Sequence, residues 1–339
     1  MTVALLILLT ISSLIFFLNK EEVVVFDTKH TLPLRGILAV LVVLGHLDTM
    51  VAGQTKILML IHMATPAVAV FFFMSGYGLM QSYSKKGDPY LNRFIVKSAV
   101  KLLIPLLLTT LLYQAYLFVK GDFCLKRIVD DFITGVEMPL VHSWYVYALF
   151  LFYLIFYFVF KNLKINKSIG CKISILTSLI LVYYVVARYC FDWDFFWWLT
   201  CMAFPMGFIY SNYEDKIKSC VNYTHFSIVP ILLVVLLVIK FLSNPNAILF
   251  AELPYLLLGP IVALILCRCP LPIGNRVLNF LGTLSFEIYL THGAFEKLLF
   301  NCFNSPYLYI FVVIMFTIFV SWVLHITYQK ITYALLNNI

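Results

Sequence analysis

The sequence predicts an all-α fold, a polytopic membrane bundle of about eleven transmembrane helices. Three observations carry this reading. Of 339 residues, 63% are hydrophobic and only 12% are charged. Mean hydropathy is +0.96. Apolar runs of spanning length recur along the whole chain, separated by loops of no more than about 25 residues. A soluble domain averages about 45–50% apolar and about 25% charged residues, so the bilayer is the expected solvent. The formal net charge of +8 then speaks for topology and lipid headgroups rather than for nucleic acid. Eight cysteines are scattered without a CxxC pair, which predicts apolar packers in helices and neither a metal site nor a redox centre.

A spanning helix needs about 20 mostly apolar residues. Such runs fall at 2–18, 33–51, 64–81, 97–119, 143–160, 171–189, 195–211, 226–242, 247–267, 277–293 and 306–328. The first lacks a basic start and a small-residue cleavage site before Lys20, so it is expected as an uncleaved helix rather than a signal peptide. With the first loop inside, 17 of the 24 lysines and arginines collect on the inner side. That bias satisfies the positive-inside rule and predicts the N-terminus outside and the C-terminus inside.

The second run reads "RGILAVLVVLGH". His46 stands eleven positions after Arg35, a rise of about 16 Å, and the two directions differ by only about 20° around the helix. Both side chains therefore share one face, and ionisable groups at that depth usually turn to a bundle interior. Arg35 falls near the inner end and His46 in the outer half. A headgroup arginine with a hydrogen-bonded helix histidine explains the pair as well as a reacting site does. Gly36 and Gly45 permit a close approach of backbones.

The third run carries Ser75, Gly76 and Gly78 among aromatics in "AVFFFMSGYGL". Small residues here mean tight packing between helices or, less commonly, an unwound turn. "NRFIVKSAVKLLIP" leads into the fourth run, with Arg93, Lys97 and Lys101 about one turn apart. They serve either as headgroup anchors or as a basic face for a phosphorylated ligand. Pro105 is expected to open space beside them. The fifth run opens with "HSWYVYAL", placing His142 and Trp144 at its outer end. Between the sixth and seventh runs, "RYCFDWDFFWW" sets Arg188, Asp192 and Asp194 among aromatics, either an interfacial aromatic belt or a surface for a sugar. In the tenth run, "LGTLSFEIYLTHG", Ser285, Tyr289 and His292 form one stripe at i, i+4 and i+7. Glu287 points about 140° from His292 and needs its own buried partner or an aqueous contact. His46, His142 and His292 thus fall on three helices at one depth.

"RGILAVLVVLGH", "FFFMSGYGL", "HSWYVYALF" and "LGTLSFEIYLTHG" occur in this order. Together they resemble the acyltransferase-3 family of integral-membrane acyltransferases over about residues 31–330. The resemblance implies a ten-helix core that moves an acyl group, usually acetyl, from acyl-coenzyme A to a hydroxyl of a carbohydrate or lipid-linked glycan. It implies that His46, with Arg35, carries the catalysis, as general base or transient acyl carrier. His142, Trp144, Ser285, Tyr289 and His292 are then candidates for substrate binding or the oxyanion, and Arg93, Lys97 and Lys101 for the coenzyme A phosphates. No permanently bound cofactor is expected; acyl-CoA is the donor substrate, with no metal and no nucleic-acid partner. The chain departs from the family in having lysines where a second arginine is usual. It carries a first helix (1–30) added to the core (31–330) and a short inner tail (331–339). The resemblance further implies a bacterial cytoplasmic membrane. A multi-pass transporter or flippase for a glycan or lipid is the rival expectation, since such proteins also bury histidines and arginines; no inverted repeat supports it.

Overall fold

A computed structural model describes residues 28–51, 64–134, 138–161, 168–220, 248–268, 275–300 and 302–337. The expected spans at 2–18 and 226–242 lie outside the described residues. Within them the chain is helical and holds no strand. In chain order the helices are α1 (Thr28–Met50), α2 (Ala64–Lys86), α3 (Phe94–Lys120), α4 (Leu125–Thr134), α5 (Trp144–Lys161) and α6 (Ile169–Val185). There follow α7 (Phe195–Trp198), α8 (Ala203–Cys220), α9 (Ile248–Arg268), α10 (Arg276–Thr283), α11 (Ser285–Leu299) and α12 (Pro306–Asn337). Helices α3, α5, α6 with its π-helical extension to Cys190, and α12 are long and apolar enough to cross a membrane. The protein is an integral membrane helix bundle.

Four boundaries differ from the sequence expectation, each for a local reason. α1 begins at Thr28 rather than at Pro33, although proline favours a first helical turn. The preceding turn is held from outside: the Leu32 carbonyl lies where a Cβ on Gly282 would have to go, and Thr31 is buried. The seventh run divides into α7 and α8 through turns at Leu199–Met202, since Pro205 fits the first turn of a helix but not its interior. The tenth run divides at Leu284, whose φ and ψ of −90° and 1° leave the helical region. α12 continues through residue 330 to Asn337 without a break. The short α4 was not foreseen.

The core is aromatic and sits where α2 meets α5 and α8. Phe72, Phe73, Phe152, Phe156, Phe204 and Phe208 are all fully buried there. Their rings meet in tilted pairs, such as Phe72 with Phe152 at 5.3 Å and Phe156 with Phe208 at 5.5 Å, the offset geometries aromatic quadrupoles favour. Small residues bring the backbones together. A Cβ on Gly76 would strike the Phe204 carbonyl, and one on Gly207 the Phe73 carbonyl. α2 is continuous across this stretch, so close packing is the reading that holds and no unwound turn forms. Gly36 serves the same purpose on α1, where an added Cβ would sit only 2.5 Å from the Leu278 carbonyl of α10. α10 is itself started by Asn275, whose side chain accepts from the Leu278 amide at 2.8 Å.

The two glycines of "SGYG" should therefore respond oppositely to one substitution. Gly76→Ala presses a methyl into backbone and should cost about 3 kcal/mol or more. Gly78 is exposed with nothing within 4 Å of a Cβ, so Gly78→Ala should be neutral or stabilise by up to about 1 kcal/mol through helix propensity. Thermal unfolding of both variants in detergent would show it; equal midpoints would refute the packing role.

Candidate active site

α1 packs against both α10 and α11, and the turn before α5 closes on α11 at Tyr289 and Gly293. This brings three imidazoles into one cluster. The His46 ring stacks on His142 with centroids 3.8 Å apart and planes 24° apart. His292 lies 5.2 Å from His46 and 5.5 Å from His142. Residues about 100 and 150 positions apart in the chain thus share one site.

His142 is held in an unusual conformation. Its φ is +61°, a left-handed backbone that costs a non-glycine residue of order 1–3 kcal/mol unless its surroundings impose it. Four contacts do so. Ser143 ties the turn together through its hydroxyl and amide, both donating to the Leu140 carbonyl at 2.7 and 3.1 Å. The Tyr289 hydroxyl donates to the His142 carbonyl. Glu296 Oε2 lies 3.3 Å from His142 Nε2. Gly293 leaves the ring its space, since a Cβ there would sit 2.8 Å from His142 Cδ2.

The tautomer of His292 follows from its bonds. The ring is fully buried, and Nδ1 lies 2.7 Å from the Tyr289 carbonyl and 3.2 Å from that of Ile288. Carbonyls only accept, so Nδ1 carries the hydrogen and Nε2 the lone pair. That Nε2 has no hydrogen-bond partner among the described residues. By the same logic, an ionised Glu296 takes a hydrogen from His142 Nε2. The His292 lone pair and a His142 ring turned to Glu296 therefore stand beside His46 at the corners of one triangle.

A cavity of about 330 Å³ opens onto this cluster, lined by His46, His142, Tyr289, Trp144, Phe195 and Phe196 among others. It is mainly apolar with few polar groups, as small-molecule sites usually are. At the far end of α5 lies a second cavity, of about 740 Å³, lined by Lys86, Lys97, Lys101, Tyr90 and Tyr153 among others. Polar side chains run between the two. Tyr153 and Tyr145 share Ser75 as a polar neighbour, and Arg35 lies within electrostatic range of both hydroxyls. Tyr145 in turn packs 5.3 Å from Tyr289.

Measured against the sequence reading, His46, His142, His292, Tyr289 and Trp144 converge. Lys97 and Lys101 share the second cavity. Arg35 lies two turns into α1 rather than at its end. Two residues stay apart. Ser285 begins α11, about 10 Å along the axis from His292, and does not line the histidine cavity. Arg93 is an exposed residue before α3 with φ +57° and does not line the lysine cavity. Arg188 turns from its neighbouring carboxylates to Glu252, 2.6 Å away, and stacks on Trp198 at 4.1 Å. Glu296 was missed, although it stands four residues after His292 on the same helix. Phe195 and Phe196 were passed over as part of an aromatic belt.

A family model described as an acyltransferase domain matches residues 34–326. The chain belongs to the acyltransferase-3 family. No curated protein and no solved structure matches the chain. The matched span begins next to Arg35 and takes in all three histidines and both cavities, so the acyltransferase domain and the described site coincide. The protein is a membrane acyltransferase; an acyl donor and an acceptor must both reach this bundle.

Proposed function

We propose that the acyltransferase moves an acetyl group from acyl-CoA to a hydroxyl of a cell-surface or lipid-linked glycan. The observation that carries this reading is the meeting of three imidazoles, two of which line one cavity, within an acyltransferase domain. The lysine cavity takes the coenzyme A phosphates, for which ammonium groups are suited point charges. It faces the cytosol of a bacterial inner membrane, as the positive-inside rule requires. The pantetheine arm extends along Tyr153, Ser75 and Tyr145, whose hydroxyls meet its amides. The acceptor enters the histidine cavity from the outer side.

His46 takes the proton from the acceptor hydroxyl as its oxygen attacks the thioester carbonyl. The oxyanion that forms is stabilised by a His142 protonated on both nitrogens, with Nε2 turned to Glu296 and Nδ1 turned to the oxyanion. The C–S bond then breaks, and the thiolate leaves with the proton from His46. Oxygen, sulfur and proton balance, and no further reactant is needed.

Purified protein given radiolabelled acetyl-CoA should label glycan and release free coenzyme A. A folded preparation that does neither while moving glycan across vesicles would sink the reading. Lys97→Gln with Lys101→Gln should raise KM for acetyl-CoA about tenfold or more, the loss of charge-assisted hydrogen bonds, with kcat little changed. An unchanged KM would return both lysines to headgroup anchoring.

A further inference from the structure

A third cavity, of about 570 Å³, opens beside α12 and belongs to neither site above except for one shared wall residue, Lys101. Its lining includes Glu287, Lys330, Phe286 and Tyr333. Glu287 is 6% exposed. One of its oxygens, Oε1, lies 2.8 Å from His325 Nδ1. His325 Nε2 in turn lies 2.7 Å from Gln329 Nε2. An amide nitrogen only donates, so His325 Nε2 accepts and Nδ1 carries the hydrogen to Glu287. Glu287 is therefore buried with one oxygen taking a hydrogen from His325, while Oε2 has no hydrogen-bond partner among the described residues. A buried carboxylate oxygen left in that state is costly, so a ligand that brings a charged donor is favoured.

The cavity's mouth says which ligand. Lys101 and Lys330 supply cations from two helices, suited to a phosphate. Tyr333 is 72% exposed, and α12 presents Phe319, Trp322, Val323 and Ile326 on its outer flank. An amphiphile lying along that apolar flank would reach the cavity with its headgroup. We propose that this cavity binds a phosphatidylethanolamine headgroup, its phosphate between Lys101 and Lys330 and its primary ammonium on Glu287 Oε2. A hydroxyl-bearing headgroup lacks the charge, and a trimethylated amine lacks the N–H. This inference shares Lys101 with the cavity proposed for coenzyme A and otherwise stands apart from the acyl-transfer chemistry.

The test uses the full-length protein in nanodiscs of matched phosphatidylethanolamine, phosphatidylcholine or phosphatidylglycerol mixtures, with co-purifying lipid measured by native mass spectrometry. Wild type should retain phosphatidylethanolamine about tenfold over the other two, the scale of one hydrogen bond to a charged group. Glu287→Gln should erase that preference, and Lys330→Gln should weaken retention of all three lipids together. Equal retention of the three lipids by wild type would overturn the proposal even if Glu287→Gln failed to fold.

Discussion

His46→Ala should abolish acyl transfer while leaving a folded, membrane-inserted protein. General base catalysis by a positioned side chain contributes about 10²–10⁴-fold, and the proposed mechanism routes its proton through this ring alone. The expected structural cost is smaller. His46 stacks on His142 but is only half-buried at the edge of a cavity, so its removal enlarges a space that already exists. Initial rates with labelled acetyl-CoA, set beside the elution profile and melting midpoint in detergent, separate the two effects. Transfer within about threefold of wild type would remove His46 from the chemistry. His292 would then be the better base, because its Nε2 lone pair is already set by the bonds on Nδ1.

Glu296→Gln should give the second-largest loss, about ten- to a hundredfold in kcat, the range seen when a histidine loses an orienting carboxylate. Glu296 touches no proposed substrate position; it is a positioning residue that acts through His142. It is 2% exposed and sits 3.3 Å from His142 Nε2. Glutamine keeps its volume and can still present an oxygen, but it removes the charge that favours one ring orientation. His142 has left-handed backbone strain to overcome, so a weaker anchor lets the turn relax away from His46. The distinguishing readout is the split of constants. KM for acetyl-CoA should stay unchanged, since the lysine cavity is at the other end of α5, while kcat falls. A parallel loss of stability and of both constants would mean that Glu296 only holds the fold.

Much of this site was legible along single helices. Eleven residues at 100° each put Arg35 and His46 on one face, and α1 is one helix across both. The same geometry turned Glu287 away from His292 and left it a buried partner or an aqueous contact; the structure gives it His325. Gly76 and Gly36 were recognised as packing residues, and both meet backbone of a neighbouring helix. Other features carried no such mark. Gly78 reads like Gly76, yet it faces open space. Glu296 sits one turn from His292, but nothing in the text says that its carboxylate meets a ring 154 positions earlier. Ser285 fits the polar stripe by spacing and shares α11 with it, but as the helix's first residue it lies about 10 Å along the axis from His292 and does not line the histidine cavity.

What the sequence by itself determined was the class, the order of the helices and the face on which each polar residue stands. Those are local consequences of composition and of a period of 3.6 residues. The tertiary structure alone decided which faces meet. Helix crossings depend on where backbones can approach and how aromatic side chains interlock, properties of pairs distant in the chain. The three histidines are near one another because glycine contacts seat α1 on α10 and α2 on α8, and because a strained turn swings His142 between them. No single stretch of the chain contains that information, since each partner supplies half of every contact.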